Sequence, residues 1–174
     1  MLKLVFVDID GVLNNKEDGT SCVCATPETY GISKKNIEIL KKIIRETGAK
    51  IVWSTAWRYW SDDHAYDYNG MMFKSHFKEA REAVGKECIF EIPNCPHLVK
   101  RVKRDDVLGF FYLLKAQKDI DMANVRFIIL DDSFNQGLHE FGKCYFHIDL
   151  RTGLTEALAE AAVNFLNKDT PSKS

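Results

Sequence analysis

Leu2-Lys3-Leu4-Val5-Phe6-Val7-Asp8-Ile9-Asp10-Gly11 sets the architecture of this chain. Five of the first six residues are apolar and the run is rich in β-formers, the pattern of a strand buried on both faces of a sheet. The run ends in two aspartates and a glycine. Ligands of open α/β sheets bind at the carboxyl edge of the strands, so these acids stand where chemistry is expected. Two carboxylates this close repel one another unless a cation uses them. Gly11 lets the chain turn and lets backbone N–H groups approach an anion. Taken alone, the four residues could still be a polar loop after a strand.

Further along, strands and helices alternate. Ser33 can cap a helix over 34–47 whose apolar face is Ile37, Leu40, Ile43 and Ile44, and Gly48 ends it. A second strand follows at 49–53. Residues 11–32 read as irregular, with a small hairpin near 21–25. The aromatic and polar stretch 56–72 fits no single element. Residues 73–84 read as a helix closed by Gly85, and 88–92 as a short third strand. A helix over 105–118 carries Val107, Leu108, Phe111 and Leu114. Residues 125–130 form a fourth strand, 144–148 a fifth, and 154–166 a closing helix. This alternation predicts a three-layer Rossmann-like α/β sandwich around a mostly parallel five-stranded sheet. One domain over 1–168 and a polar tail over 169–174 are expected.

Composition narrows the function classes. In 174 residues, 45% are hydrophobic, enough for a core without metal or disulfide staples. The 24 Lys and Arg against 25 Asp and Glu give a net charge of −1, which excludes a generally basic nucleic-acid coat and an acidic tail. A local basic patch remains compatible. No apolar run approaches the ~18 residues of a membrane span. The five cysteines and the absence of a recognisable export signal point to reduced thiols in the cytoplasm.

Three further features share the chemistry of Asp8 and Asp10. Asp131-Asp132 ends the fourth apolar strand, and clustered carboxylates without clustered His or thiolate ligands favour Mg²⁺ over zinc. Ser54 and Thr55 follow the second strand, where a hydroxyl can donate to a phosphate oxygen; for either residue alone a helix cap is the plainer reading. Lys100, Arg101, Lys103 and Arg104 precede the helix before strand four, where a cation can neutralise phosphate charge or simply be solvated.

Taken in order, these features resemble the haloacid dehalogenase (HAD) superfamily of phosphohydrolases. Asp8-Ile9-Asp10-Gly11-Val12-Leu13 is similar to its first motif, Ser54 to its second, a lysine before strand four to its third, and Asp131-Asp132 to its acidic fourth. Lys103 is the assigned lysine, with Lys100 the alternative. A narrower likeness rests on Asp10-Gly11-Val12-Leu13-Asn14, Ser54-Thr55-Ala56-Trp57-Arg58, Leu130-Asp131-Asp132 and Gly153-Leu154-Thr155. These resemble the HAD domain of Swiss Army Knife RNA-repair proteins. No kinase or ligase segment accompanies them here.

The resemblance implies Asp8 as nucleophile and Asp10 as general acid and base. It implies Mg²⁺ held by Asp8, the backbone carbonyl of Asp10, Asp131 and Asp132, directly or through an intermediary. Phosphate would be cradled by Ser54, Thr55, Lys103, Arg58 and the backbone around Gly11. An acid at position 10 suits the phosphatases of the superfamily. The about 20 residues between Leu13 and Ser33, and the about 45 between Thr55 and Lys100, leave no room for a large cap domain. A lightly covered site admits a large substrate, such as an RNA or DNA end. A small metabolite under a dimer partner's lid, or a catalytically weak domain kept for binding, are the alternatives. Trp57, Arg58, Tyr59 and Trp60 suit base stacking and phosphate binding, or else core packing with Arg58 paired to Asp62 or Asp63. Cys95-Pro96-His97, with Cys88, Cys22 and Cys24, would suggest zinc, but no second paired-cysteine element precedes the lysine, so they read as ordinary thiols.

Overall fold

The computed structural model describes residues 1–21, 24, 29–55, 65–68, 71–74, 76–92, 103–118 and 120–168. The expected central strand, β1 (Leu2–Val7), is flanked on both sides by parallel neighbours, β2 (Lys50–Trp53) and β5 (Val125–Asp131). β6 (Tyr145–His147) extends the sheet beyond β5, giving the order β2-β1-β5-β6, parallel throughout. Among the described residues this sheet has four strands, not five. Residues 89–92 alternate their side chains as a strand does, with Ile89 against one core layer and Phe90 and Ile92 in the other, although Cys88 shares the Ile89 layer. Their backbone, however, meets β2 at one bridge, Ile51 to Ile89, and one bond, Phe90 N–H to Ile51 O at 2.8 Å. The chain reaches that edge out of a 3₁₀ turn, Lys86–Cys88, and no longer ladder forms.

A second difference concerns residues 71–74. They form β4 (Met71–Lys74), antiparallel to β3 (Ala65–Tyr68), so helix α2 begins only at Phe77 and runs Phe77–Val84. The register pairs Tyr68 with Met71, which leaves Asn69-Gly70 as the connection. Asn-Gly between β-prone runs is a strong hairpin signal, and it outweighs the helical spacing of Phe73 and Phe77. Between Thr55 and α2 the described residues thus contribute a small hairpin rather than a cap domain.

The other helices lie near their expected bounds: α1 (Lys34–Thr47), α3 (Lys103–Lys118) and α4 (Glu156–Asn167). Ser33 caps α1 through its hydroxyl to Asn36 N, and Gly48 closes it in the left-handed conformation. β6 is shorter than expected because 3₁₀ turns over Leu138–Cys144 use the residues before it. No helix of the described residues is long and apolar enough to cross a membrane.

Strand alternation sorts the core into two layers. Val5, Val7, Ile51, Trp53, Ile128 and Leu130 face α1, α2 and α4; Leu4, Phe6, Val52 and Ile129 face α3 and Leu138. After β1 the chain crosses to the α1 layer, whereas after β5 it passes through Leu138 and Phe141 on the α3 layer. Two adjacent strands whose connections leave to opposite faces open a crevice at the carboxyl edge, the usual ligand site of such sheets.

Candidate active site

The register builds the site. Val7 pairs with Trp53 on one side and with Leu130 on the other, so the next residues, Asp8, Ser54 and Asp131, form a row at the carboxyl edge. Backbone bonds carry that alignment past the ladder: Asp8 N–H donates to Leu130 O at 3.1 Å and Ser54 N–H to Val7 O at 2.8 Å. Asp8 and Asp131 are buried, Asp131 completely.

Lys103, the first residue of α3, reaches this row from the facing layer. Its ammonium bonds Asp8 Oδ2 and, at 2.7 Å, Asp131 Oδ2. Gln136 holds this end of α3: its Oε1 accepts from Lys103 N at 3.3 Å and its backbone oxygen from Arg104 N at 3.1 Å. Arg104 is itself tied to Glu140 at 2.7 Å and to Asp105 at 3.0 Å. Of the two lysines weighed from sequence, Lys103 lies at the site, while Lys100 falls outside the described residues, as do Arg58 and its aromatic neighbours.

Burial dominates the electrostatics. Loss of water pushes the Asp8 carboxyl up to about 7, with Lys103 pulling against that and the Asp131 and Asp10 charges adding to it. Asp132 is raised too, first by burial and then by Asp131. For Lys103 burial favours the neutral amine, but Asp8 and Asp131 outweigh it and hold the ammonium above the usual lysine range. One lysine therefore faces a crowd of acids. Asp8, Asp131 and Asp132 can each offer an oxygen within 4.8 Å of the others. An all-oxygen set with surplus negative charge fits a hard divalent cation. The Asp10 carboxyl lies outside that trio. Asn14 Nδ2 donates to its Oδ1 at 3.0 Å, and the Tyr30 hydroxyl donates to the same oxygen at 3.4 Å. The metal role expected of Asp10 rests on its backbone carbonyl rather than on this carboxyl.

The loop that carries these acids is tightly folded. Ile9 O accepts from the N–H groups of Val12, Leu13 and Asn14, and Gly11 N–H donates to Asn14 Oδ1 at 2.9 Å. From behind, Val12 O accepts from Leu154 N and from Asn36 Nδ2, each at 3.0 Å. Gly153 permits that contact, since a Cβ there would collide with Asn36 Nδ2. The Gly153-Leu154-Thr155 motif therefore braces the loop, while Thr155 caps α4. Gly11 has φ +73°, and a Cβ there would overlap the Asp132 carboxylate. Gly11→Ala should cost on the order of 1–3 kcal/mol and displace Asp132. Thermal unfolding with and without Mg²⁺ checks this: the variant should melt lower and gain less from the ion than the wild type.

Ser54 and Thr55 are buried at the end of β2. The Ser54 hydroxyl makes no hydrogen bond among the described residues, which leaves it available to an incoming acceptor. Past β5, Ser133 N–H donates to Asp131 Oδ1 at 2.9 Å, the Tyr145 hydroxyl to Ser133 O at 2.8 Å, and His147 Nε2 lies 3.1 Å from Asp132 O. Burial, then the Asp131 and Asp132 charges, raises the Tyr145 phenol above its usual range. Sequence reasoning assigned no role to Asn14, Tyr30, Gln136, Tyr145 or His147. Only Asn14 had a signal, its place directly after the acidic motif. Of the suspected zinc ligands, Cys24 and Cys88 are free thiols, as is Cys144. Cys22, Cys95 and His97 lie outside the described residues.

The family model described as the HAD domain in Swiss Army Knife RNA repair proteins matches residues 4–159. No curated protein and no solved structure matches the chain.

Proposed function

We propose that this chain, which belongs to the family of HAD domains in Swiss Army Knife RNA repair proteins, is a Mg²⁺-dependent phosphomonoester hydrolase. Its substrate is the phosphorylated end of a nucleic acid or a nucleotide, and its setting is the cytoplasm, where its thiols stay reduced. One observation carries the reading: Asp8, Ser54 and Asp131 stand in one row at the sheet's carboxyl edge, with Lys103 bridging the two acids.

Asp8 attacks phosphorus in line. An Asp8 oxygen bonds to phosphorus as the ester oxygen leaves, which produces an aspartyl phosphate. Asp10 gives the departing oxygen a proton, then takes one from the water that hydrolyses the intermediate, so that phosphate leaves and Asp8 is restored. Asn14 and Tyr30 hold one Asp10 oxygen and so orient the carboxyl for both transfers. Lys103 and the Ser54 hydroxyl hold the phosphate oxygens; the Gly11 N–H, expected to join them, is instead taken by Asn14 Oδ1. Asp8, Asp131, Asp132 and the Asp10 carbonyl would hold Mg²⁺, which would supply the charge that lets an anionic carboxylate meet an anionic phosphate.

The support for a polymeric or nucleotide substrate is the family together with the small hairpin found where a cap would stand. Phosphate release from terminally phosphorylated RNA and DNA oligonucleotides and from small phosphate esters, in Mg²⁺ and in EDTA, tests the reading. Mg²⁺-dependent release favouring oligonucleotides is the expected result. Release confined to small metabolites would overturn the substrate assignment, and no release from any ester would overturn the enzyme.

A further inference from the structure

Among the described residues, Phe134 is a largely exposed aromatic two positions beyond Asp132, and its setting differs from that of the other exposed apolar side chains. It is 75% exposed, as is Tyr112, but Tyr112 lies on the outer side of α3 and carries a hydroxyl that water can satisfy. Scattered apolar residues at a surface need no explanation. A rigidly held one beside an active site does.

Three hydrogen bonds fix the segment that presents Phe134. Ser133 N–H is bound by Asp131 Oδ1, Ser133 O by Tyr145, and Asp132 O by His147. His147 lies next to Asp131 in the sheet register and stacks on Phe134, ring centroids 3.9 Å apart and planes tilted by 41°. One side of the Phe134 ring is thus backed by His147 while most of its surface stays open. The chain length between Asp132 and Phe134 limits their Cα separation to about 7.6 Å. The ring also packs on His147, whose Nε2 lies 3.1 Å from Asp132 O, so it sits beside the segment that carries the acids.

We propose that Phe134, backed by His147, is a stacking platform for the base of the nucleotide whose phosphate is removed. This rests on the phosphatase reading for the phosphate's place and adds a contact that reads the substrate beyond its phosphate. Stacking accepts any base, because every base has a π-face, so the platform selects for a nucleotide without selecting sequence. A side chain already immobilised loses little freedom when the base arrives.

The test compares two oligonucleotides that differ only at the phosphorylated terminal residue, one bearing a base and one abasic. Equilibrium binding is measured in the Asp8→Asn background, where turnover does not interfere. Phosphate release is measured in the wild-type background. The ratio of affinities, base-bearing over abasic, should be about ten-fold with Phe134 present. It should fall toward one in Phe134→Ala and return in Phe134→Trp. In turnover the same ratio should appear in kcat/KM, chiefly through KM. An affinity ratio near one with Phe134 present, or one that Phe134→Ala leaves unchanged, overturns the platform. Absence of phosphate release in the wild type overturns the phosphatase reading instead, and the binding ratio still decides the platform.

Discussion

Asp8→Asn should abolish Mg²⁺-dependent phosphate release, by on the order of 10⁴-fold or more, while the protein becomes no less stable and, above pH 7, more stable. The two halves have one cause. An amide cannot attack phosphorus, so the first half needs only Asp8 as nucleophile. The second follows from burial. The Asp8 carboxyl ionises near 3.8 when unfolded and near about 7 in the fold. Between those values the unfolded chain has released a proton that the folded chain retains, so rising pH favours unfolding. The cost is complete once the folded carboxyl has ionised. Asn is close in shape to the protonated acid, can keep the Ile9 N–H contact that Asp8 Oδ1 makes at 2.8 Å, and carries no charge to desolvate. Denaturant melts of both proteins in EDTA at several pH values check this. The stability gap should open in favour of Asn as pH rises from 4 to 7 and then level off. A variant equally inactive but less stable at pH 8 would mean that Asp8 holds the fold together rather than being held by it.

Such a trade marks where sequence and structure reported different things. The row of acids was legible because its ingredients are local. A buried strand followed by acids can be read twice, at Asp8 and at Asp131, and parallel pairing then forces the two into one row. Lys103 was legible only as one of two neighbouring lysines. Choosing between them depends on the phase of α3, which Gln136 sets from beyond β5. Asn14 and Tyr30 are 16 positions apart by number and meet only at Asp10, and no periodicity announces that. The third expected strand, 88–92, failed for a related reason. Residues 89–92 have the alternation of a strand, but a ladder needs a partner in register, and the pattern of one segment carries no information about its neighbour's reach. The hairpin at 65–74 is the opposite case. Its signal, Asn69-Gly70, was local and readable, but the aromatic residues before it and the helical spacing after it drew the boundary elsewhere.

Lys103→Met should remove activity and also change how the fold depends on divalent cations. In the wild type the Lys103 ammonium bonds both Asp8 and Asp131, the second completely buried. Removing one partner of a buried ion pair leaves charge uncompensated, at a cost of about 3–5 kcal/mol. Without metal the variant should therefore melt well below the wild type, with part of the loss relieved as Asp8 takes up a proton. Adding Mg²⁺ should reverse the ranking of the gains. The acidic trio has one positive charge fewer beside it, so the ion binds more tightly, and stabilisation by a ligand grows with the ratio of its concentration to Kd. Met approximates the length of the lysine stem, so the difference isolates the charge. Thermal melts across a Mg²⁺ titration read both effects. The variant should start lower, climb further, and reach half its gain at a lower Mg²⁺ concentration than the wild type. Activity should stay lost even when the ion has restored stability, because the ammonium is also needed on the phosphate oxygens. Recovery of turnover with stability would remove Lys103 from the phosphate cradle and leave it a purely structural counter-ion. A variant whose melt does not respond to Mg²⁺ would remove the metal from the trio.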